Sequence, residues 1–162
     1  MFGMKIGLTG QDALNAAITA LGGSLRDFRP VWPKVSLIFD RMERDQFVGQ
    51  GVGPAGVWAP LRPAYAKWKA VKFPGKPILF ATGDLVRSLT SPFDSNAIFD
   101  MTPESLERGS TIPYAVFHQQ GTGRMPARPV IDPNDKDKEE MLGVIQEHFR
   151  DLSLELGFQV VS

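Results

Sequence analysis

The sequence predicts a single α+β domain in which several helices pack on a small antiparallel sheet. Three observations favour this fold class. The chain has 162 residues, the size of one domain. Apolar residues recur at helical spacing near both ends. Two segments with strand character, 97–101 and 106–111, are separated by a four-residue turn. Because helices dominate and the hairpin is antiparallel, we expect one α+β domain over residues 1–162.

The N-terminal part, about residues 9–49, is predicted to be mainly helical. Thr9 and Asp12 have the spacing of a capping box and open a first helix. Pro33 opens a second helix, because proline is favourable in the first turn, and Gly49 is a natural end. The predicted elements are a short strand at Lys5–Leu8, a helix from Thr9 that ends at Gly22–Gly23, and a helix from Pro33 that buries Val35, Ile38, Phe39 and Met42.

Glycine and proline divide the middle of the chain. The segment at about residues 50–57 is rich in both and is predicted to be a flexible loop. A short helix follows from Pro63, in which Tyr65 and Trp68 share one face and are expected to pack inward. A second irregular segment, residues 72–77, ends this part of the chain.

Three further helical segments are predicted in the second half. Thr82 is expected to be the N-cap of the first, which points Leu85 and Leu89 inward. Tyr114–Gln119 forms a short helical turn. Asp132, which is followed by proline, begins the closing helix. That helix is expected to bury Met141, Leu142, Ile145, Phe149 and Leu152.

The sequence contains no set of residues that would carry catalysis. There are no cysteines, which excludes disulfides, thiolate metal sites and a cysteine nucleophile. The two histidines, His118 and His148, lack metal-ligand spacing, and no nucleotide-binding or hydrolase motif is present. No apolar run reaches the length of a membrane span, and the N-terminus lacks the apolar core of a signal peptide. We therefore expect a cytoplasmic, non-enzymatic protein without cofactor, metal or membrane contact.

The formal net charge is zero, but the charges are unevenly distributed. The stretch between Asp45 and Asp84 contains no acidic residue, whereas residues 132–155, which include Glu139 and Glu140, are net acidic. The basic residues of the first stretch include Arg62, Lys67, Lys69, Lys72 and Lys76. Such an uneven distribution indicates charged partners rather than a particular fold.

The sequence leaves three interpretations of the basic segment Arg62–Lys76 open. In the first, the segment meets the acidic helix of a neighbouring subunit, because head-to-tail contacts that close a ring need two complementary surfaces. In the second, it binds single-stranded nucleic acid, because its cations are interleaved with Tyr65, Trp68 and Phe73. In the third, both charged surfaces are solvated and never meet.

Several short motifs occur in a fixed order in the second part of the chain. They are Trp58-Ala-Pro-Leu61, Ile78-Leu79, Thr82-Gly-Asp-Leu85 with Ser88, Tyr114-Ala115, His118-Gln119, Gly121 and Pro126-Ala-Arg-Pro129. This ordered set resembles the phage virion morphogenesis family, the tail-completion proteins of Mu-like contractile-tailed phages and prophages. The resemblance covers roughly residues 47–162. Val130-Ile131 departs from the family pattern, which has an aromatic residue at that place.

The resemblance implies a structural protein of the virion neck or tail end that acts late in assembly and is not an enzyme. By analogy with related neck and tail-completion proteins, it implies a homo-oligomeric ring, sixfold to match the tail, that docks to other tail or neck proteins. Genomic DNA passing through such a ring would need only weak, nonspecific contact. The expected locations are the host bacterial cytoplasm during assembly and then the virion tail or neck.

The stretch from Ile112 to Pro129 contains the remaining candidate interaction residues. Arg124 and Arg128 are interpreted as anchors for another subunit or the tail tube. In the alternative, Arg128 pairs internally with Asp132 or Asp84. On the helical turn before them, Tyr114 and Phe117 are expected to pack in the core. His118 and Gln119 are expected to face outward and to form an interface.

Overall fold

The computed structural model describes residue 19 and residues 22–155. Within these residues, helices pack around one antiparallel hairpin, which confirms the α+β fold class. In chain order, the elements are α1 (Trp32–Val48), α2 (Pro63–Lys72), α3 (Asp84–Thr90), β1 (Ala97–Met101), β2 (Leu106–Ser110), α4 (Ala115–Gln120) and α5 (Asp135–Glu155). The predicted strand at Lys5–Leu8 lies outside the described residues, as does most of the predicted helix from Thr9. Residue 19 and residues 22–24 are helical, so helical structure extends past the predicted end at Gly22–Gly23.

Helix α1 is the central element of the fold. It has Pro33 in its first turn and ends at Gly49, as the sequence predicts, and it packs against α3 and α5. Its buried apolar residues include the predicted Val35, Ile38 and Met42. The helix also buries three polar residues that the apolar pattern does not predict, Ser36, Glu43 and Gln46. One part of its inward surface is therefore polar.

The hairpin has the predicted bounds, except that β2 ends one residue earlier, at Ser110. Phe99 lies opposite Arg108 in the antiparallel register. The buried guanidinium of Arg108 lies 2.7 Å from a carboxylate oxygen of Asp40 and 3.2 Å from one of Glu43, both on α1. It also lies over the ring of Phe99, 5.6 Å from the centroid. A buried ionic cluster therefore joins the hairpin to α1.

The apolar core lies where α1 and α3 meet the loops that precede and follow them. The ring of Phe47 contacts those of Trp58 and Phe80 edge-on, with centroids 5.6 Å apart in both pairs. The buried core residues are Phe47, Trp58, Leu85, Leu89, Ile112 and Val130. Leu85 and Leu89 face inward as predicted. Val130, which stands where the family pattern has an aromatic residue, fills a core position.

Glutamine side chains hold the irregular segments in place. Gln46 accepts hydrogen bonds from two backbone N–H groups of the predicted loop at residues 50–57, at 2.8 and 2.9 Å, and donates one to the carbonyl of Pro129 at 2.9 Å. Gln50 accepts a hydrogen bond from the N–H of Ile78 at 2.7 Å. The loop is irregular, as predicted, and side chains from α1 and its C-terminal end satisfy part of its backbone.

Helix α5 begins later and buries less than the sequence predicts. The predicted N-cap, Asp132, instead accepts a hydrogen bond from the N–H of Ala55 at 2.8 Å. Asn134 takes the capping role, because its side-chain oxygen accepts a hydrogen bond from the backbone N–H of Asp137 at 3.0 Å, and the Asp137 carboxylate accepts one from the N–H of Asn134 at 3.1 Å. Of the five residues expected to be buried, Met141, Ile145 and Leu152 are half-buried, whereas Leu142 and Phe149 are exposed.

Candidate functional site

A groove with a volume of about 700 Å³ opens between α2, the segment from Leu79 to Leu85, and α4 with the loop that follows it. Cavities of this size are typical of ligand sites. Apolar and aromatic side chains form much of its wall. Its lining also contains five of the predicted interaction residues, namely Arg62, Lys69, His118, Arg124 and Arg128.

The wall of the groove around Leu79 has unusual backbone geometry. Leu79 has a left-handed conformation with φ of 62°, which costs a non-glycine residue about 1–2 kcal/mol. Gly83, with φ of 90°, is the N-cap of α3 in place of the predicted Thr82, because glycine adopts this conformation without steric cost. The hydrogen bond from Ile78 to Gln50 fixes the wall beside the strained residue.

Two aromatic residues of α2 line the groove instead of packing in the core. The rings of Tyr65 and Trp68 contact each other at a tilt of 30°, with centroids 5.2 Å apart, and Trp68 meets Phe73 edge-on at 6.0 Å. Tyr65 is 47% exposed and Trp68 is 51% exposed, so the prediction that they pack inward is wrong. The inward-facing residue of this helix is Lys69, whose ammonium donates a hydrogen bond to the carbonyl of Pro77.

Two cations in the lining are buried, and neither has a carboxylate partner among the described residues. Lys69 is 5% exposed and Arg128 is 3% exposed. Arg128 donates hydrogen bonds to the backbone carbonyls of residues 59–60, at 2.8 and 3.0 Å. Burial lowers the pKa of both side chains. Arg128 is thus held internally, by carbonyls rather than by Asp132 or Asp84, and Lys69 is also not exposed on the outer surface.

Helix α4 faces the opposite way from the prediction. Tyr114 and Phe117, which were expected in the core, are exposed. Gln119 is turned inward, where its side-chain oxygen accepts two backbone hydrogen bonds at 3.0 and 3.1 Å. The half-buried His118 has no hydrogen-bond partner for Nδ1 in the described structure. Burial lowers the pKa of His118, and the charge of Arg128 lowers it further.

The rim of the groove is positively charged. Arg62 and Arg124 are exposed there, as predicted for interaction residues. Among the described lining residues, Asp84 is the only acid, and it forms a salt bridge with Arg87 on the same helix. Together with the two buried cations, these arginines give the groove a net positive charge.

The other predicted interaction residues lie outside the groove lining. In the basic segment these residues are Lys67, Lys72 and Lys76, and all three are exposed. On α5, Glu139 is exposed, whereas Glu140 forms a salt bridge of 2.7 Å with Arg41 of α1. Within residues 22–155, no salt bridge joins the basic segment to α5 of the same chain.

Two other kinds of site are missing from the part of the chain that the structure describes. No three His, Asp or Glu side chains there are placed to hold a metal ion. No helix in the same part is both long and apolar enough to cross a membrane. A second cavity, beside Gln46 and Asp137, has a volume of only about 40 Å³.

The motifs that carry the family resemblance meet at the groove, although they lie far apart in the sequence. The lining includes Leu61, Thr82–Leu85, Tyr114, His118 and Arg128. Fold and site thus define a small α+β protein with a large, positively charged groove. A model of the phage virion morphogenesis family matches residues 10–150. The chain therefore belongs to the phage virion morphogenesis family, and its role lies in virion assembly. Searches of curated proteins and of solved structures each found no significant match.

Proposed function

We propose that the protein acts late in phage assembly, where it completes the tail or stabilises the head–tail junction. It forms a homo-oligomeric ring, sixfold to match the tail, and docks to other tail or neck proteins by binding rather than by catalysis. It assembles in the host cytoplasm and remains in the tail or neck. The observation that carries this proposal is the convergence of the family motifs on one surface groove, because large apolar surface grooves mark binding sites.

Two oppositely charged surfaces support a head-to-tail contact within the ring. Lys67 and Lys72 are exposed on α2, and Glu139 and Asp151 are exposed on α5. None of these four residues forms a salt bridge within the described chain. Heterologous ring contacts need two different complementary surfaces on each subunit. The basic surface of one subunit therefore meets the acidic surface of the next and fixes the register of assembly.

Light scattering at low and high salt, with negative-stain images of any large species, tests the ring. We expect closed oligomers that dissociate as salt rises, because exposed ion pairs are screened. The double variants Lys67→Glu/Lys72→Glu and Glu139→Lys/Asp151→Lys should each weaken assembly, and the chain that carries all four changes should restore it. Arg44→Glu, an exposed change on α1, is the matched control. An oligomer whose mass does not change with salt or with these charge reversals would contradict the charged contact. A protein that is monomeric at every salt concentration would also contradict it.

Single-stranded nucleic acid binding is the second candidate, and the exposure of the α2 aromatics favours it. Bases stack on exposed aromatic rings beside cations, and Tyr65 and Trp68 are about half exposed on a basic helix. A labelled oligonucleotide should then bind at low salt, and Trp68→Ala should weaken that binding while Val71→Ala, on the same helix, should not. Rings that form without DNA and ignore the oligonucleotide would reject this function.

A further inference from the structure

We propose that the groove binds a peptide segment of a partner protein that presents an aromatic or large aliphatic side chain beside a carboxylate. This inference rests on the proposed docking function and names the chemistry of the docked segment. The groove is large enough for a side chain of this kind together with the adjoining backbone, at about 700 Å³. Its apolar wall and the rings of Tyr65, Trp68 and Phe73 form the receptor for the anchor.

The buried cations specify the charge of the ligand. A buried charge is costly unless it is paired, and the described residues supply no carboxylate to Lys69 or Arg128. An ammonium has three N–H donors and a guanidinium has five. Lys69 uses one of these on the carbonyl of Pro77 and Arg128 uses two on the carbonyls of residues 59–60. A ligand carboxylate would use donors that remain and would compensate the charge.

The charges at the rim of the groove also favour an acidic ligand. Arg62 and Arg124 are exposed at the groove, and the carboxylate of Asp84 is already engaged by Arg87. A basic ligand would add to an uncompensated positive charge, and a neutral ligand would leave that charge unpaired. Exposed arginines at the rim also accelerate the approach of an acidic partner.

The position of the charges favours a peptide over a nucleic acid strand. Nucleic acid grooves carry exposed cations along the path of the phosphates. Here the exposed cations of the lining are only the two rim arginines, Arg62 and Arg124. The exposed lysines Lys67 and Lys72 are outside the lining, whereas Lys69 within it is buried beside the aromatic wall. A single compact carboxylate next to an apolar anchor matches this arrangement better than a repeating phosphate backbone.

A positional-scanning library of fluorescein-labelled hexapeptides, acetylated and amidated at their ends, tests the inference on the full chain. Fluorescence anisotropy should select Trp, Phe or Leu at one position and Asp or Glu at a neighbouring one. Replacing that acid by its amide should weaken binding about tenfold, as expected for a charge-assisted hydrogen bond. Loss of acidic selection, selection of basic residues, or no binding by any peptide pool would overturn the proposal.

Matched variants identify the groups responsible. Lys69→Met should reduce the preference for acidic peptides and keep the preference for an apolar anchor, whereas Arg44→Met, an exposed change on α1, should change neither. Arg124→Gln, at an exposed position, should slow association with acidic peptides and gives a second measurement if Lys69→Met folds poorly. Trp68→Ala should weaken all selected peptides, and Val71→Ala should not.

Two further measurements distinguish this inference from its alternatives. A labelled oligothymidylate that binds more tightly than every peptide and displaces them would replace the peptide by nucleic acid as the ligand. Ring formation is measured independently by light scattering. A chain that stays monomeric but selects acidic, aromatic peptides would support the peptide site and contradict the ring. A salt-sensitive ring that selects no peptide would support the ring and contradict the peptide site.

Discussion

Replacing Glu43 by glutamine should change how the free energy of unfolding depends on pH. Glu43 is fully buried on α1, with Arg108 at 3.2 Å from one carboxylate oxygen. Burial raises the pKa of this carboxyl from 4.5 to about 8, and the charge of Asp40 adds to the increase, whereas Arg108 opposes it. At neutral pH the buried side chain is therefore mainly protonated, and glutamine is a neutral side chain of nearly the same shape.

The sign of the effect follows from proton binding. Between the unfolded pKa of 4.5 and the folded pKa of about 8, the folded protein binds more protons at Glu43 than the unfolded chain does. Stability therefore falls as the pH rises through this interval, by up to about 1.4 kcal/mol per pH unit. Between pH 5 and pH 8, the contribution of Glu43 falls by roughly 3 kcal/mol. In Glu43→Gln this contribution is absent.

Urea unfolding at pH 5, 6, 7 and 8 measures this difference. We expect Glu43→Gln to gain stability relative to the wild type as the pH rises, with the largest gain at pH 8. Glu104→Gln, which removes an exposed carboxylate in the hairpin turn, should follow the wild-type profile. Parallel profiles for wild type and Glu43→Gln would refute the reasoning, because they would mean that Arg108 keeps the buried carboxylate ionised throughout.

Three other predictions follow from buried polar groups. Arg108→Met should lower the free energy of unfolding, measured in urea, by about 3–5 kcal/mol, because it leaves the carboxylate of Asp40 without its ion-pair partner and buried oxygens of Glu43 and Ser36 without a hydrogen-bond donor. Gln46→Leu should cost about 1–3 kcal/mol and increase hydrogen exchange in the loop that Gln46 holds, whereas the exposed Gln146→Leu should do neither. The pKa of His118 is lowered in the folded state, so its contribution to stability should be lost as the pH falls below 6.5 through the folded pKa. An NMR titration of His118 that gives a pKa above 6.5 would contradict this sign.

Elements with local sequence signals are predicted well. Helix α1 has Pro33 at its start and Gly49 at its end, and both signals act within one turn of the helix. The hairpin combines two strand-forming segments with a four-residue turn, in which the N–H of Thr102 donates to the carbonyl of Ser105 at 2.8 Å. The structure reproduces these bounds to within one residue because neighbouring residues determine them.

The orientation of the short helices is predicted poorly. In α2 and α4 the sequence rule places aromatic side chains inward and polar ones outward. The structure does the reverse, with Trp68 exposed and Lys69 buried in α2, and with Phe117 exposed and Gln119 turned inward in α4. Helices of six to ten residues contribute little apolar surface of their own. Their orientation is determined by which backbone groups of distant loops need a partner.

The buried cluster at Arg108 has no local signal either. Its partners on α1 are 65 or more positions away in the sequence. The mixed polarity of the β2 sequence is typical of a solvent-exposed strand and gives no sign of a buried charge. Only the register of the hairpin, which sets Arg108 opposite Phe99, and the docking of α1 bring the charges together. A single sequence contains no pattern that specifies such a contact.

The need of buried backbone groups for hydrogen-bond partners also links the groove to the loops around it. The backbone around the groove is largely irregular, and buried irregular backbone must find hydrogen-bond partners outside regular structure. Arg128 provides them for residues 59–60, Lys69 for Pro77 and Gln50 for Ile78. Cations that serve as backbone donors have no counter-ion of their own. The fold therefore places positive charge beside an apolar wall, and this combination is what a docking partner with an apolar anchor and a carboxylate would recognise.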